Sequence, residues 1–389
     1  MSAFLQETRY SPREFVLSSL DSLITIKRLA GFLRFWARLV VLARKPFIIG
    51  VTGSVGKTTT TEMLFSVLSQ SEVAVLKGYV VHSENNMNDD LGLPATLLQF
   101  TDLKEDYSPS RLITACLAPF RALKISMGLS HYPKILVLEY GASWDGHIAL
   151  LADLAPPNIG VVTTIGEAHL ERLKTLDGVA KEKMALVSAV PSTGLVVLGN
   201  EHSYVSQLAQ AARSSVVEVP GKGIQFAENA ARVICRHLGV PDVLIESGLR
   251  SFRPPKGRQN VIRRKEMTLI DDSYNANPSS MKYGLDALSS FSEPGSRRVA
   301  ILGFMGELGE LAPQFHREIG EYARGRADLL IGVGELAKHY KADHWFESSE
   351  SCVSHICDLL MPCDCILVKG SGAARMKKVA DQIRGRLSN

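Results

Sequence analysis

Gly50-Val51-Thr52-Gly53-Ser54-Val55-Gly56-Lys57-Thr58 lies between a short apolar run, Phe47 to Val51, and a helical pattern from Thr58 to Leu68. A buried strand feeding a glycine-rich turn and then a helix is the architecture of a phosphate loop. Glycines let the backbone turn tightly and aim its N–H groups at phosphate oxygens, and the helix N-terminus adds its positive dipole end. In that geometry Gly53, Ser54, Gly56, Lys57, Thr58 and Thr59 surround the phosphates. Lys57 reaches the β- and γ-phosphates, and Thr58 offers its hydroxyl to Mg²⁺. The strict Walker spacing would need glycine where Val51 stands, so this is a variant loop.

Working outward, the apolar runs Ile135 to Leu138, Ile159 to Val162 and Leu195 to Leu198 read as parallel strands covered on both faces. Helical segments lie between them, Leu150 to Leu154 and Val179 to Val187, and this alternation predicts a doubly wound, mostly parallel sheet. Prolines, glycine and charge break the pattern at Ser251 to Gly257. A second, Rossmann-like α/β unit follows, with strands expected at Thr268 to Ile270, Val299 to Leu302, Leu329 to Val333 and Ile366 to Val368. The expected organisation is a helical extension over 1–45, a central ATP-binding domain over 46–250 and a C-terminal domain over 251–389.

The first stretch, to about Arg44, reads as helix. Leu20, Leu23, Leu29, Phe32, Leu33, Trp36, Leu39 and Val40 fall largely at helical spacing, with Lys27, Arg28, Arg34 and Arg38 between them. Two readings stand side by side: a helix packed on the next domain, and a basic amphipathic helix resting on a membrane surface. Arg34, Arg38, Arg44 and Lys45 interrupt the apolar run from Leu29 to Phe47, so it should not span a bilayer. The polar, charged N-terminus lacks a secretory pattern, and a cytoplasmic protein, with or without peripheral membrane contact, is expected.

At 389 residues, with 46% hydrophobic and 22% charged residues, the chain has the composition of a globular protein with two or three domains. A net charge of +4 is modest for this length and does not argue for nucleic acid. The six cysteines include a cluster from Cys352 to Cys365, but no CxxC pair repeats at zinc-finger spacing. They read as ordinary thiols.

A phosphate loop alone serves kinases, GTPases, motors and ligases alike. Further segments narrow the choice: Asn86-Met87-Asn88-Asp89-Asp90-Leu91-Gly92-Leu93-Pro94, Leu138-Glu139-Tyr140-Gly141-Ala142-Ser143, Ile165-Gly166-Glu167-Ala168-His169-Leu170-Glu171 and Asp271-Asp272-Ser273-Tyr274-Asn275-Ala276-Asn277-Pro278. Together with the loop Gly50 to Thr60 they resemble the Mur ligase family, in particular the branch that adds D-alanyl-D-alanine to the peptidoglycan precursor. Weaker matches lie at His316 to Tyr322 and Val368 to Ser371. The resemblance runs from about Gly50 to the end, in family order.

That resemblance implies an ATP-dependent ligase that joins a small-molecule acid to an amine through an acyl-phosphate, with two Mg²⁺ ions. Glu139 ends a predicted parallel strand, so its carboxylate should emerge at the sheet edge where ligands bind, as a hard oxygen ligand for Mg²⁺. His169 follows the next strand and, like its family counterpart, would complete a second metal site. Gly178 to Leu186 resembles the family segment with a carbamylated lysine. The role is assigned to Lys183 from its spacing to the following apolar pair, with Lys181 as the alternative. Asn229 matches an asparagine that contacts adenine. Arg258 and Asp272 match residues that reach the ATP phosphates from the C-terminal domain, entering the site as the domains close about Pro254 to Gly257. Asn86, Asn88, Asn275, Asn277, Lys369 and Ser371 are expected around the substrates, with structural turn-making as the other reading of the last four.

The chain departs from the branch in three places. Gly303-Phe304-Met305 replaces Gly-Asp-Met, and Asn88-Asp89 replaces Asn-Asn. Only about 45 residues precede the phosphate loop, where the branch carries a domain recognising the uridine-diphosphate part of its substrate. Without that domain, either a partner protein supplies acceptor recognition or the acceptor is a different carboxylate. A ligase for another natural product, cofactor or cell-wall component is the neighbouring reading, and a non-catalytic nucleotide-binding regulator is the reading from another class.

Overall fold

Glycine-bounded runs of β-branched and aliphatic residues become strands buried on both faces, and the amphipathic segments between them become the covering helices. The computed structural model describes residues 12–70, 73, 78–83, 87–100, 110–264 and 267–388, and of these the side chains from 27 onward except 110–113 and 388. The chain forms two compact units, drawn from the described parts of 1–46 with 83–132 and of 47–82 with 133–389.

The second unit holds two six-stranded sheets. The first comprises β1 (Phe47–Thr52), β2 (Val80–His82), β3 (Ile135–Glu139), β4 (Ile159–Val162), β5 (Leu195–Gly199) and β6 (Ser215–Val219). Its order is β2-β3-β1-β4-β5-β6 and every pairing is parallel. Alternate residues serve opposite faces. Ile49, Val51, Val137, Val161 and Val197 pack with Met63, Leu64 and Val67 of helix Lys57–Leu68 and with Phe226, Ala230 and Ile234 of helix Gly223–His237. Val162, Val196 and Leu198 pack with Val179 and Val187 of helix Leu176–Ala189 and with Leu208 of helix Val205–Ala211. The strand order reverses around β1, placing a crevice beyond the C-terminal ends of β1, β3 and β4.

The second sheet comprises β7 (Asn260–Arg264), β8 (Met267–Asp272), β9 (Arg298–Gly303), β10 (Leu329–Val333), β11 (His344–Phe346) and β12 (Cys365–Lys369). Its order is β11-β10-β9-β12-β8-β7, parallel except for the antiparallel pair β7–β8. Asn277 opens helix Pro278–Phe291 with a capping box, its Oδ1 accepting from the Ser280 N–H at 2.8 Å while the Ser280 hydroxyl accepts from the Asn277 N–H at 2.9 Å.

All the expected strands are present, each within two residues of its expected ends. The four unforeseen strands, β2, β6, β7 and β11, are the four sheet edges. Two have only three residues, and β6 is half exposed. Short or solvated edges carry no long apolar run.

In the first unit, helix Pro12–Arg44 packs on helices Gly92–Leu97 and Ser110–Ser126. Ala30, Leu33, Ala37, Val40 and Val41 form its buried face. Residues 83–132, expected within the central domain, thus group with the first helix, because the chain leaves the sheet after β2 and returns only at β3. All six cysteines are free thiols.

Glu182 fixes the start of the helix that follows β3. Its buried carboxylate accepts from the N–H groups of Gly146 at 2.6 Å and Ile148 at 2.5 Å, at the start of helix His147–Leu154. Glu182→Ala strands both donors and is expected to destabilise the protein by about 2–4 kcal/mol, read as a lower urea midpoint. An unchanged midpoint would mean that these donors have other partners.

Candidate functional site

The phosphate loop owes its shape to its neighbours. Gly53 has φ 149° and Gly56 φ 89°, and a Cβ at Gly53 would lie 1.8 Å from Thr163 Oγ1. Only glycine passes there. The Ser54 N–H donates to Thr164 O at 2.9 Å and its hydroxyl to Gly166 O at 2.8 Å, while the Thr163 hydroxyl donates to Val55 O at 2.5 Å. The segment following β4 is therefore a template for the loop.

At the start of helix Lys57–Leu68 the Lys57 ammonium donates to Gly53 O at 2.8 Å. Burial lowers its pKa and the Arg258 charge adds to the lowering, while Glu139 and Glu307 oppose it. One residue on, the Thr58 hydroxyl donates to Glu139 Oε2 at 2.7 Å. Glu139 ends β3, directly opposite Val51 of β1, and is 2% exposed. Thr59 is buried beside them.

The two candidate lysines separate cleanly. Lys183 is 1% exposed, and its pKa falls to about 7, chiefly by burial and then by the Lys57 charge, with Glu182 and Glu139 opposing. The Lys181 side chain is 76% exposed and lies 3.7 Å from Asp145. Successive helical residues are rotated by about 100°, so positions two apart face different surroundings.

His169 holds left-handed backbone, φ 57° and ψ 29°, before the turn Leu170–Leu173. Its Nδ1 lies 2.5 Å from Glu307 Oε2, and Glu307 too has a positive φ, 59°. Strained non-glycine backbone at both partners is typical of functional sites. Burial lowers the His169 pKa, the Glu307 carboxylate opposes this, and the Lys57 and Lys183 charges lower it further. Glu307, in the loop after β9, was not singled out from the sequence. Its one sequence signal is a carboxylate beyond the C-terminal end of a parallel strand.

The second sheet contributes further contacts. Asn277 Nδ2 donates to Ser54 O at 3.2 Å, and the Ser279 hydroxyl donates to Glu167 Oε2 at 2.5 Å. Arg258 stacks on the Tyr274 ring at 4.0 Å, and its charge acts on both Lys57 and Asp272. Asp272 accepts from the Gln259 N–H at 3.1 Å and from Lys369 Nζ at 2.6 Å. Lys369, expected to meet a substrate carboxylate, is 2% exposed and also donates to Asn275 O at 3.0 Å, so its charge is already opposed by Asp272. Asn275 Oδ1 accepts from the Ala276 N–H. The Ser371 hydroxyl is buried without a hydrogen-bond partner among the described residues.

Asn229 donates to Pro220 O at 3.1 Å and accepts from Arg232 at 3.3 Å. Asn88 is half-buried in the first unit, and Asn86 lies outside the described residues. His316, from a weaker matching segment, is a core residue that bonds Met305 N and Ala312 O. Among the described residues, no three His, Cys, Asp or Glu side chains gather closely enough to hold a metal by themselves.

Comparison with known proteins identifies the family. The Mur ligase middle domain matches residues 51–108 and 123–240, and the "Mur ligase, glutamate ligase domain" matches residues 257–372. UDP-N-acetylmuramoyl-tripeptide–D-alanyl-D-alanine ligase of Mycobacterium tuberculosis is 31% identical, with 86% of this chain and 72% of that protein covered. The Synechocystis protein of the same name is 29% identical over 86% of this chain and 74% of its own length. The crystal structure of MurF ligase from Thermotoga maritima in complex with ADP superposes with a TM-score of 0.73 at 24% identity, covering 92% of this chain and 84% of that one. Sequence, fold and the loop's setting agree: the chain belongs to the Mur ligase family of ATP-dependent, amide-bond-forming ligases.

Proposed function

We propose that this chain joins D-alanyl-D-alanine to UDP-N-acetylmuramoyl tripeptide, the reaction for which its curated relatives are named. The supporting observation is one cluster: a phosphate-loop lysine, a buried Thr58–Glu139 pair and a buried near-neutral lysine at one sheet edge. In this reading residues 46–250 bind the nucleotide and 251–389 complete the site, with 1–45 as a helical extension.

The γ-phosphoryl group passes from ATP to a carboxylate oxygen of the acid as the β–γ bridge bond breaks and ADP leaves. The amine nitrogen then attacks the carbonyl carbon, the bond to phosphate breaks, and phosphate departs as the amine loses its proton. Lys57 and the loop N–H groups from Gly56 to Thr59 hold the phosphates, with Gly53 and Ser54 shaping the turn, Arg258 adds positive charge from the second sheet, and Asn229 contacts the adenine. The contacts of Asn277 with the loop and of Ser279 with Glu167 help to keep water from the acyl-phosphate. Lys369 orients Asp272, which holds the Arg258–Gln259 turn. Ser371, Asn275 and Asn277 shape the amine's pocket, and Asn86 and Asn88 serve the acid.

The donor chemistry suits two magnesium ions. The Thr58 hydroxyl and Glu139 carboxylate are hard oxygen ligands, and the Glu307 contact at Nδ1 favours the tautomer of His169 that has Nε2 as the ligand. A second anionic group would come from Lys183: its neutral amine adds CO₂ and releases a proton to give a carbamate, and burial favours that neutral form. When bound, magnesium supplies charge neutralisation at the phosphoryl oxygens.

The deciding measurement is ADP release coupled to mass detection of the product. D-alanyl-D-alanine with UDP-N-acetylmuramoyl tripeptide should give both. Turnover only with another acid–amine pair would move the chain to another product, and no acceptor-dependent ADP would remove the ligase reading. Lys57→Ala is expected to lower turnover by at least about a hundredfold, the scale of losing one transition-state charge contact; wild-type turnover would remove Lys57 from the phosphate site. Lys183→Ala should be similarly impaired and partly restored by added short carboxylates, which can occupy the carbamate's place. Full activity of that variant would discard the carbamate.

A further inference from the structure

The first unit carries a surface that the reaction does not use. Helix Pro12–Arg44 buries Leu33, Ala37 and Val40, and turns Phe32, Phe35, Leu39 and Leu42 outward. Their spacing of three, four and three residues keeps them on one helical face. Helix Ser110–Ser126 repeats the pattern: Ala118, Ala122 and Ile125 are buried while Leu117, Phe120 and Leu123 are exposed. Phe35 is 59% and Phe120 73% exposed. The two helices pack on one another, and both touch the buried stretch from Gly92 to Phe100, the second through Arg121 at Gln99 O. Each therefore turns its apolar stripe away from that stretch.

Among the described side chains of these two helices every charge is basic, with Arg34 lying 3.7 Å from Asp90. From Lys27 to Phe47 there are six basic residues and no Asp or Glu, and from Ser110 to Tyr132 three basic residues and again no acid. Arg28 and Lys124 lie exposed within the stripes themselves. Outward aromatic and aliphatic side chains interleaved with Lys and Arg match an anionic lipid surface. No helix among the described residues is long and apolar enough to cross a membrane. We infer that the outward faces of helices Pro12–Arg44 and Ser110–Ser126 dock on an anionic phospholipid bilayer, the phenyl rings entering the headgroup boundary and the basic residues pairing with lipid phosphates. This inference stands apart from the ligase reading, because none of these residues belongs to the reaction site.

Co-sedimentation of the full chain with vesicles tests it. Vesicles of three parts phosphatidylcholine to one part phosphatidylglycerol should retain the protein, phosphatidylcholine alone should retain much less, and added salt should release it. Phe35→Glu with Phe120→Glu should weaken retention by roughly tenfold or more, from lost apolar burial and reversed charge, with ATP turnover unchanged. If that pair misfolds, Arg28→Glu with Lys124→Glu should weaken retention on the anionic vesicles and flatten its salt dependence. Failure of the wild type to bind anionic vesicles would overturn the inference, as would equal retention of folded variants. A wild-type dimer that Phe35→Glu with Phe120→Glu converts to monomer would assign the face to a second copy instead.

Discussion

The 2.7 Å hydrogen bond from Thr58 to Glu139 depends on β3 pairing with β1 in the register that sets Glu139 opposite Val51. On the other flank β4 pairs with β1 and delivers Thr163 and Thr164 against the phosphate loop. The loop is thus clamped from both sides by the ends of neighbouring strands. A register slip of one residue would turn the Glu139 side chain to the opposite face of the sheet. Much of the site's geometry follows from this three-strand unit.

Burial then sets the chemistry. Lys57, Glu139, His169 and Lys183 act electrostatically on one another in a space where water screens them poorly. A lysine brought near neutrality by desolvation is a nucleophile, and an exposed one is an ammonium ion. Lys183 is buried and Lys181 exposed, although one residue separates them. The Glu182 carboxylate between them is consumed by two backbone donors, so it stabilises the fold while contributing only part of the charge felt by Lys183.

Segments following the second sheet's strands reach Ser54 of the loop through Asn277 and the segment after β4 through Ser279 to Glu167 and Glu307 to His169, and Ala276, Met305 and Leu308 share a buried apolar cluster with Ile165, Leu170 and Leu173. Hydrogen bonds of this kind contribute about 1 kcal/mol each, less than a buried apolar interface would. The Gly257 turn beside Arg258 gives the chain a conformation, φ 75°, that favours glycine.

The amino-acid sequence by itself determined the strand–loop–helix at Gly50 to Thr58, the central strands of both sheets, the helix up to Arg44 and the family. These are local features, encoded in apolar periodicity, glycine placement and motif spacing among neighbours in the chain. The four edge strands were not legible, because an edge takes its hydrogen bonds from a distant partner and needs no apolar run of its own. Tertiary structure alone decided which lysine is buried, that Lys369 is committed to Asp272, that Glu307 engages His169, and that Asn277 reaches Ser54 from 223 residues away. Desolvation and pairing depend on what the folded chain brings alongside a residue, and residue order does not carry that information locally.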